Sequence, residues 1–143
     1  MNKEPTNQDH NKSIVDGLYL FGLSEHHSGY IIPEFHHYFT YALLHNKARL
    51  FYSNNKPVGV VTWCFLDDDK AEAFADEAYL IEEDDYIAEK GDQLWGIEFI
   101  APFGHTRQMM RSMRDMVHKR YPSYSKVHWK RVHTGEKHMT RNF

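Results

Sequence analysis

An acid set inside an apolar strand and a histidine in an early polar loop are the two side chains of this chain best suited by type to move a proton. Residues 95–104 read Trp-Gly-Ile-Glu-Phe-Ile-Ala-Pro-Phe-Gly, an apolar run interrupted by Glu98 and closed by a Pro-Phe-Gly turn. A buried, unpaired carboxylate is costly enough that it either finds a partner or neutralises itself. Glu98 is therefore a structural hydrogen-bond acceptor or the partner of a titrating group. Among eleven histidines, His27 has the context for that partner, since it lies in a loop between two helical stretches and is followed by Ser28 and Gly29. Imidazole titrates near neutrality, and a carboxylate beside it fixes its tautomer and raises its basicity. Type alone leaves a second reading open, in which His27 only fills surface or core.

Other chemistries have weaker support. Cys64 lies between Trp63 and Phe65 in an apolar run, where an inert thiol is more usual than a nucleophile. The adjacent pairs His26/His27 and His36/His37 lack the i,i+4 spacing of a helical metal site, and no metal is expected. His133-Thr-Gly-Glu-Lys137 looks like a zinc-finger linker, but a finger needs two upstream cysteines and the chain has one. The Gly104 loop is neither a dinucleotide fingerprint nor a P-loop.

The elements that must position His27 and Glu98 can be read from periodicity. Residues 13–23 place Ile14, Leu18 and Phe21 at helical spacing, with Ser13 as a candidate N-cap and Gly22 near the end. Residues 24–32 form the His27 loop. Pro33 opens a second helix with Phe35, Phe39, Ala42 and Leu43 on one face. Residues 48–53 and 57–65 read as a hairpin around Asn54-Asn55-Lys56, a turn longer than the two-residue ideal. Asp67 or Asp68 caps a third helix with Ala71, Phe74, Ala75 and Ala78 inward, 82–91 is an acidic connection, and 94–101 is the Glu98 strand. The helix 105–121 is the clearest, with Met109, Met113, Met116 and Val117 on one face and Arg107, Arg111, Arg114 and His118 on another. Pro122 stops it, and 126–132 returns as a last strand.

The order of helices, hairpin, helix, strand, helix and strand predicts an α/β or α+β sandwich of helices on a mixed sheet. At 143 residues the chain fits one domain. We place it at 13–134, between a disordered lead at 1–12, which lacks the apolar core of a signal peptide, and a tail at 135–143. A lone cysteine excludes an intramolecular disulfide and fits a reducing compartment, so a cytoplasmic location is expected. No run approaches the ~18 apolar residues of a membrane span. The net charge of −3 hides an asymmetry: twelve acids face two lysines between Asp67 and Asp92, and ten Lys/Arg face two acids from His105 onward. Such a chain either meets two differently charged partners or carries two solvated faces that attract each other. Nucleic acid is not an expected partner, because the acidic block would face the phosphates.

Residues 95–104, above all Ile100-Ala-Pro-Phe-Gly104, resemble the signature of the RTX toxin-activating lysine acyltransferases of the hemolysin-activating type. The segment from Phe21 to His27, Lys56-Pro-Val58 with Trp63, and Glu83-Asp-Asp-Tyr86 leading to Gly91-Asp92 match in the family's order. The resemblance implies a fold similar to the GCN5-like N-acetyltransferases, without their coenzyme A dependence. It implies transfer of a fatty acyl group from acyl carrier protein (acyl-ACP) to internal lysine ε-amines of an RTX protoxin, with acyl-ACP as cosubstrate and no tightly bound cofactor. The family's catalytic histidine falls on His27, and its aspartate falls on Glu98, one methylene longer. Members often dimerise, so a homodimer is one expected assembly. Because acyl carrier proteins are acidic, Arg107, Arg111 and Arg114 become the expected docking stripe. The backbone N–H groups of Gly104, His105 and Thr106 could then polarise the thioester oxygen. Trp63, Phe99 and Phe103 are candidates for the acyl groove, with core packing as their commoner use. The alternative from another class is a non-catalytic accessory module that binds acyl carrier protein or toxin.

Overall fold

A computed structural model describes residues 7–130 and 139–143. Its elements run α1 (Asn7–Leu23), α2 (Ile32–Phe35), a π-helical turn (His36–Thr40), α3 (Tyr41–Leu44), β1 (Ala48–Ser53), β2 (Lys56–Leu66) and α4 (Asp68–Ala75). They continue through α5 (Glu83–Ile87), β3 (Gln93–Ile100), α6 (Thr106–Arg120), β4 (Lys126–Trp129) and β5 (Met139–Asn142). The five strands form one mixed sheet in the order β1-β2-β3-β4-β5. Every neighbouring pair is antiparallel except β3 and β4, which the α6 crossover makes parallel. This is the α+β architecture expected of the GCN5-like type.

The long strand β2 shows how the layers divide, because alternate residues of a strand face opposite sides. Val61, Trp63 and Phe65 pack with Met109, Met113, Met116 and Val117 of α6. Val60, Cys64 and Leu66 face the other helices: Val60 meets Phe21, Phe35 and Phe39, while Cys64 and Leu66 meet Ala42, Ala71, Phe74 and Tyr86. The methionine stripe of α6 is buried as its spacing predicts.

Several local expectations need correcting. Helix α1 begins at Asn7 rather than at Ser13, and within its added turn Lys12 pairs with Asp16 at 2.7 Å. The hairpin turn is only Asn54-Asn55, flanked by the pair Ser53–Lys56, with both asparagines at positive φ (51° and 64°). That is the type I′ geometry matched to strand twist, and asparagine tolerates it. Asp67 caps α4 by accepting from the Lys70 N–H at 2.7 Å. Ala71 and Phe74 are buried, but Ala78 lies beyond the helix end and is exposed. The acidic connection contains α5, anchored by the fully buried Tyr86. Residues 139–142 of the expected tail form β5, whereas 131–138, including the His133–Lys137 segment, lie outside the described residues.

Candidate active site

A single bulge decides which way Glu98 points. Thr62 pairs with Glu98 and Trp63 with Gly96, so Ile97 is left over on β3. Strict alternation would put Glu98 on the α6 side with Leu94. The extra residue resets the alternation, and Glu98 stands opposite Thr62 on the face carrying α1 and α2. The Glu98 backbone N–H donates to Thr62 Oγ1 at 3.0 Å. Main chain and side chain are thus fixed by separate contacts.

On that face the loop after α1 brings His27 to the acid. Ser24 ends the helix and nucleates a turn: its carbonyl accepts from the His27 N–H at 3.0 Å and from the Ser28 N–H at 2.8 Å. Phe21, in the buried cluster below, meets the His27 ring edge-on at 5.2 Å. His27 Nε2 is hydrogen-bonded to Glu98 Oε2, and both residues are less than a tenth exposed. A carboxylate only accepts, so Nε2 carries the proton toward Glu98 and Nδ1 is the acceptor nitrogen. At Nδ1 lies the Ser24 hydroxyl, 2.5 Å away. Tyr30 donates its hydroxyl to Glu98 Oε1 at 3.2 Å. Burial first, and then the Glu98 charge, raises the Tyr30 phenol far above its ordinary range, so it stays a donor. The same two causes push Tyr38 up to about 12. The arrangement is an oriented, carboxylate-backed imidazole, the equipment for taking a proton from a nucleophile.

The profile of the RTX toxin acyltransferase family matches residues 8–141, nearly the whole chain. The chain belongs to that family. It is therefore an acyltransferase of the class that acts on RTX toxins. It is also 26% identical over 117 residues to the uncharacterized protein sll0720 of Synechocystis sp., covering 78% of this chain and 76% of that one. Glu98, one methylene longer than the aspartate that the resemblance implies, reaches His27.

The remaining expected site residues of this acyltransferase lie elsewhere. Arg107, Arg111 and Arg114 are exposed on α6 and border a shallow groove with Arg141 and Phe143, on the sheet face opposite His27. The Gly104 N–H is already donated to the Ala101 carbonyl at 3.2 Å, which leaves His105 and Thr106 as the donors of that turn. Trp63 and Phe99 belong to the core under α6, and Phe103 is half exposed, so Trp63 and Phe99 do not line a groove at His27. Burial holds the Cys64 thiol well above its ordinary pKa, in keeping with an inert core cysteine. Sequence reasoning missed Ser24, Tyr30 and Thr62. Ser24 could have been found from its i,i+3 spacing to His27; Tyr30 and Thr62 join Glu98 across 68 and 36 residues and leave no local signal. Among the described residues no cluster of three metal-ligating side chains occurs, and no helix is long and apolar enough to cross a membrane.

Proposed function

We propose that this protein transfers a fatty acyl group from acyl carrier protein to internal lysine ε-amines of an RTX protoxin, in the cytoplasm of the producing cell. The contact between His27 and Glu98 carries this reading. A lysine amine has a pKa of about 10.4 and is almost wholly protonated at neutral pH, so attack on a thioester needs a base beside it. His27 takes the amine proton at Nδ1, with the Ser24 hydroxyl displaced from that nitrogen or passing the proton through. Glu98 holds the ring and stabilises its protonated form. That first proton passes from His27 to solvent. As the freed amine nitrogen forms the amide bond, His27 takes a second proton from it, the carbon–sulfur bond breaks, and His27 returns this second proton to the leaving thiolate. The N–H groups of His105 and Thr106 are the proposed partners of the thioester oxygen.

Arg107, Arg111 and Arg114 are the proposed landing surface for the acidic carrier. Glu98 lies near the end of β3, from which the chain turns into α6. A carrier docked on α6 therefore sends its thioester arm around that strand end toward His27. The test is mass spectrometry of an RTX protoxin co-expressed with and without this protein. Acyl-sized mass increments that appear only with the protein, and vanish when the modified lysines become arginine, support the reading. An unmodified toxin in both cases, with binding retained, leaves the accessory module.

A further inference from the structure

We infer that the groove between α1 and α2 beside His27 is the acyl-chain site, and that Gly22 sets the length of chain it accepts. This rests on the acyl transfer proposed above and names where the hydrocarbon goes. The groove has a volume of about 340 Å³, and its walls are Ile14, Leu18 and Phe21 of α1 with Ile32 and Phe35 of α2. His27 and Tyr30 form part of the lining, so an occupant touches the proposed base. The polar lining is already engaged: Ser28 donates to the Glu25 carbonyl, His36 Nδ1 is bonded to Thr40, and Tyr30 donates to Glu98. What remains to contact a ligand is mostly carbon.

Leu18 and Ile32 are 52% and 72% exposed, apolar surface left facing water beside a reactive group. The grooves along α6, by contrast, are lined by Arg49, Arg107, Arg111, Arg114 and Lys119, which suit anionic groups rather than hydrocarbon. At ~30 Å³ per methylene, the share of a water molecule, 340 Å³ holds on the order of ten methylenes. A fatty acyl chain matches the lining, the capacity and the contact with His27 together.

Gly22 borders this groove, and a Cβ built on it meets no atom within 4 Å. A side chain grown from that position therefore starts in open space at the border of the groove. The experiment compares initial rates from a series of saturated acyl carrier proteins differing by two methylenes, for wild type, Gly22→Leu and Leu18→Ala. Gly22→Leu shifts the optimum to shorter chains, with the relative kcat/KM for the longest falling roughly tenfold per two methylenes excluded. Leu18→Ala shifts it to longer ones. A profile unchanged in both variants while wild type transfers normally overturns the acyl-groove assignment alone. So does an unchanged profile with altered oligomeric state, which gives the groove to a second copy of the chain. No transfer by the wild type from any carrier removes the underlying reading, and the groove assignment with it.

Discussion

Glu98 serves the site with both its backbone and its side chain. Its N–H is tied to Thr62 and its carboxylate to His27 and Tyr30, so the bulge and the imidazole are held by one residue. Thr62→Val keeps the shape but leaves a buried N–H without its acceptor. The expected cost is about 1–3 kcal/mol of stability, read by denaturant unfolding, with a lower transfer rate. An unchanged midpoint and rate would show that Thr62 does not hold the bulge. Glu98→Gln keeps the size of the side chain but removes the charge that stabilises a protonated His27. Transfer should fall about 100-fold with toxin binding retained. His27 and Glu98 were legible as residue types because a loop histidine and a strand acid each break their local pattern. Their pairing was one of the readings the residues offered, but the means of it was not legible, since the contact spans 71 residues and depends on one extra residue in β3.

At the scale of elements, α1 shows two glycines with opposite meanings. A Cβ on Gly17 would lie 2.4 Å from ring carbons of the fully buried Phe39, whereas one on Gly22 meets nothing. Gly17→Ala is therefore expected to destabilise by about 1–3 kcal/mol through overpacking. Gly22→Ala should stabilise by roughly 0.5–1 kcal/mol by stiffening a helical position. Thermal melts of the two variants moving in the same direction would contradict this packing of α1 on Phe39. Helix α6 was readable because two complete stripes, apolar and basic, run along it. Helix α5 was not, because five residues of an acidic run show no apolar period, and its anchor Tyr86 bonds to the distant His37 carbonyl. The π-helical turn escaped for a related reason: Phe35, Phe39, Ala42 and Leu43 are all buried, and their spacing fits a regular helix as well.

For the whole molecule, the sheet separates two kinds of surface. The His27–Glu98 pair and its apolar groove lie on one face, and the exposed arginines of α6 on the other. Within the acidic block Lys70 pairs with Asp85, and Lys47 and His45 reach Glu89 and Glu83. Those pairs do not involve the arginine stripe, where Arg114 lies 4.0 Å from the exposed Asp115, and the stripe is the proposed attractor of an acidic carrier. Charge reversal at Arg111 and Arg114 should raise the KM for acyl carrier protein several-fold at low ionic strength with little change in kcat. The effect should fade as salt shortens the screening length to about 10 Å at 0.1 M. An unchanged KM at low salt would place docking elsewhere. The overall architecture was legible from element order, whereas the face on which each functional group falls required the register of β2 and β3.

In the proposed mechanism an imidazole oriented by Glu98 draws the proton from the attacking amine. The most direct measurement is the initial rate of acyl transfer from acyl carrier protein to a lysine-bearing toxin segment, for wild type and for folded His27→Ala. Transfer should fall ~100- to 10,000-fold, with toxin binding preserved. Transfer by His27→Ala at close to the wild-type rate would contradict that mechanism.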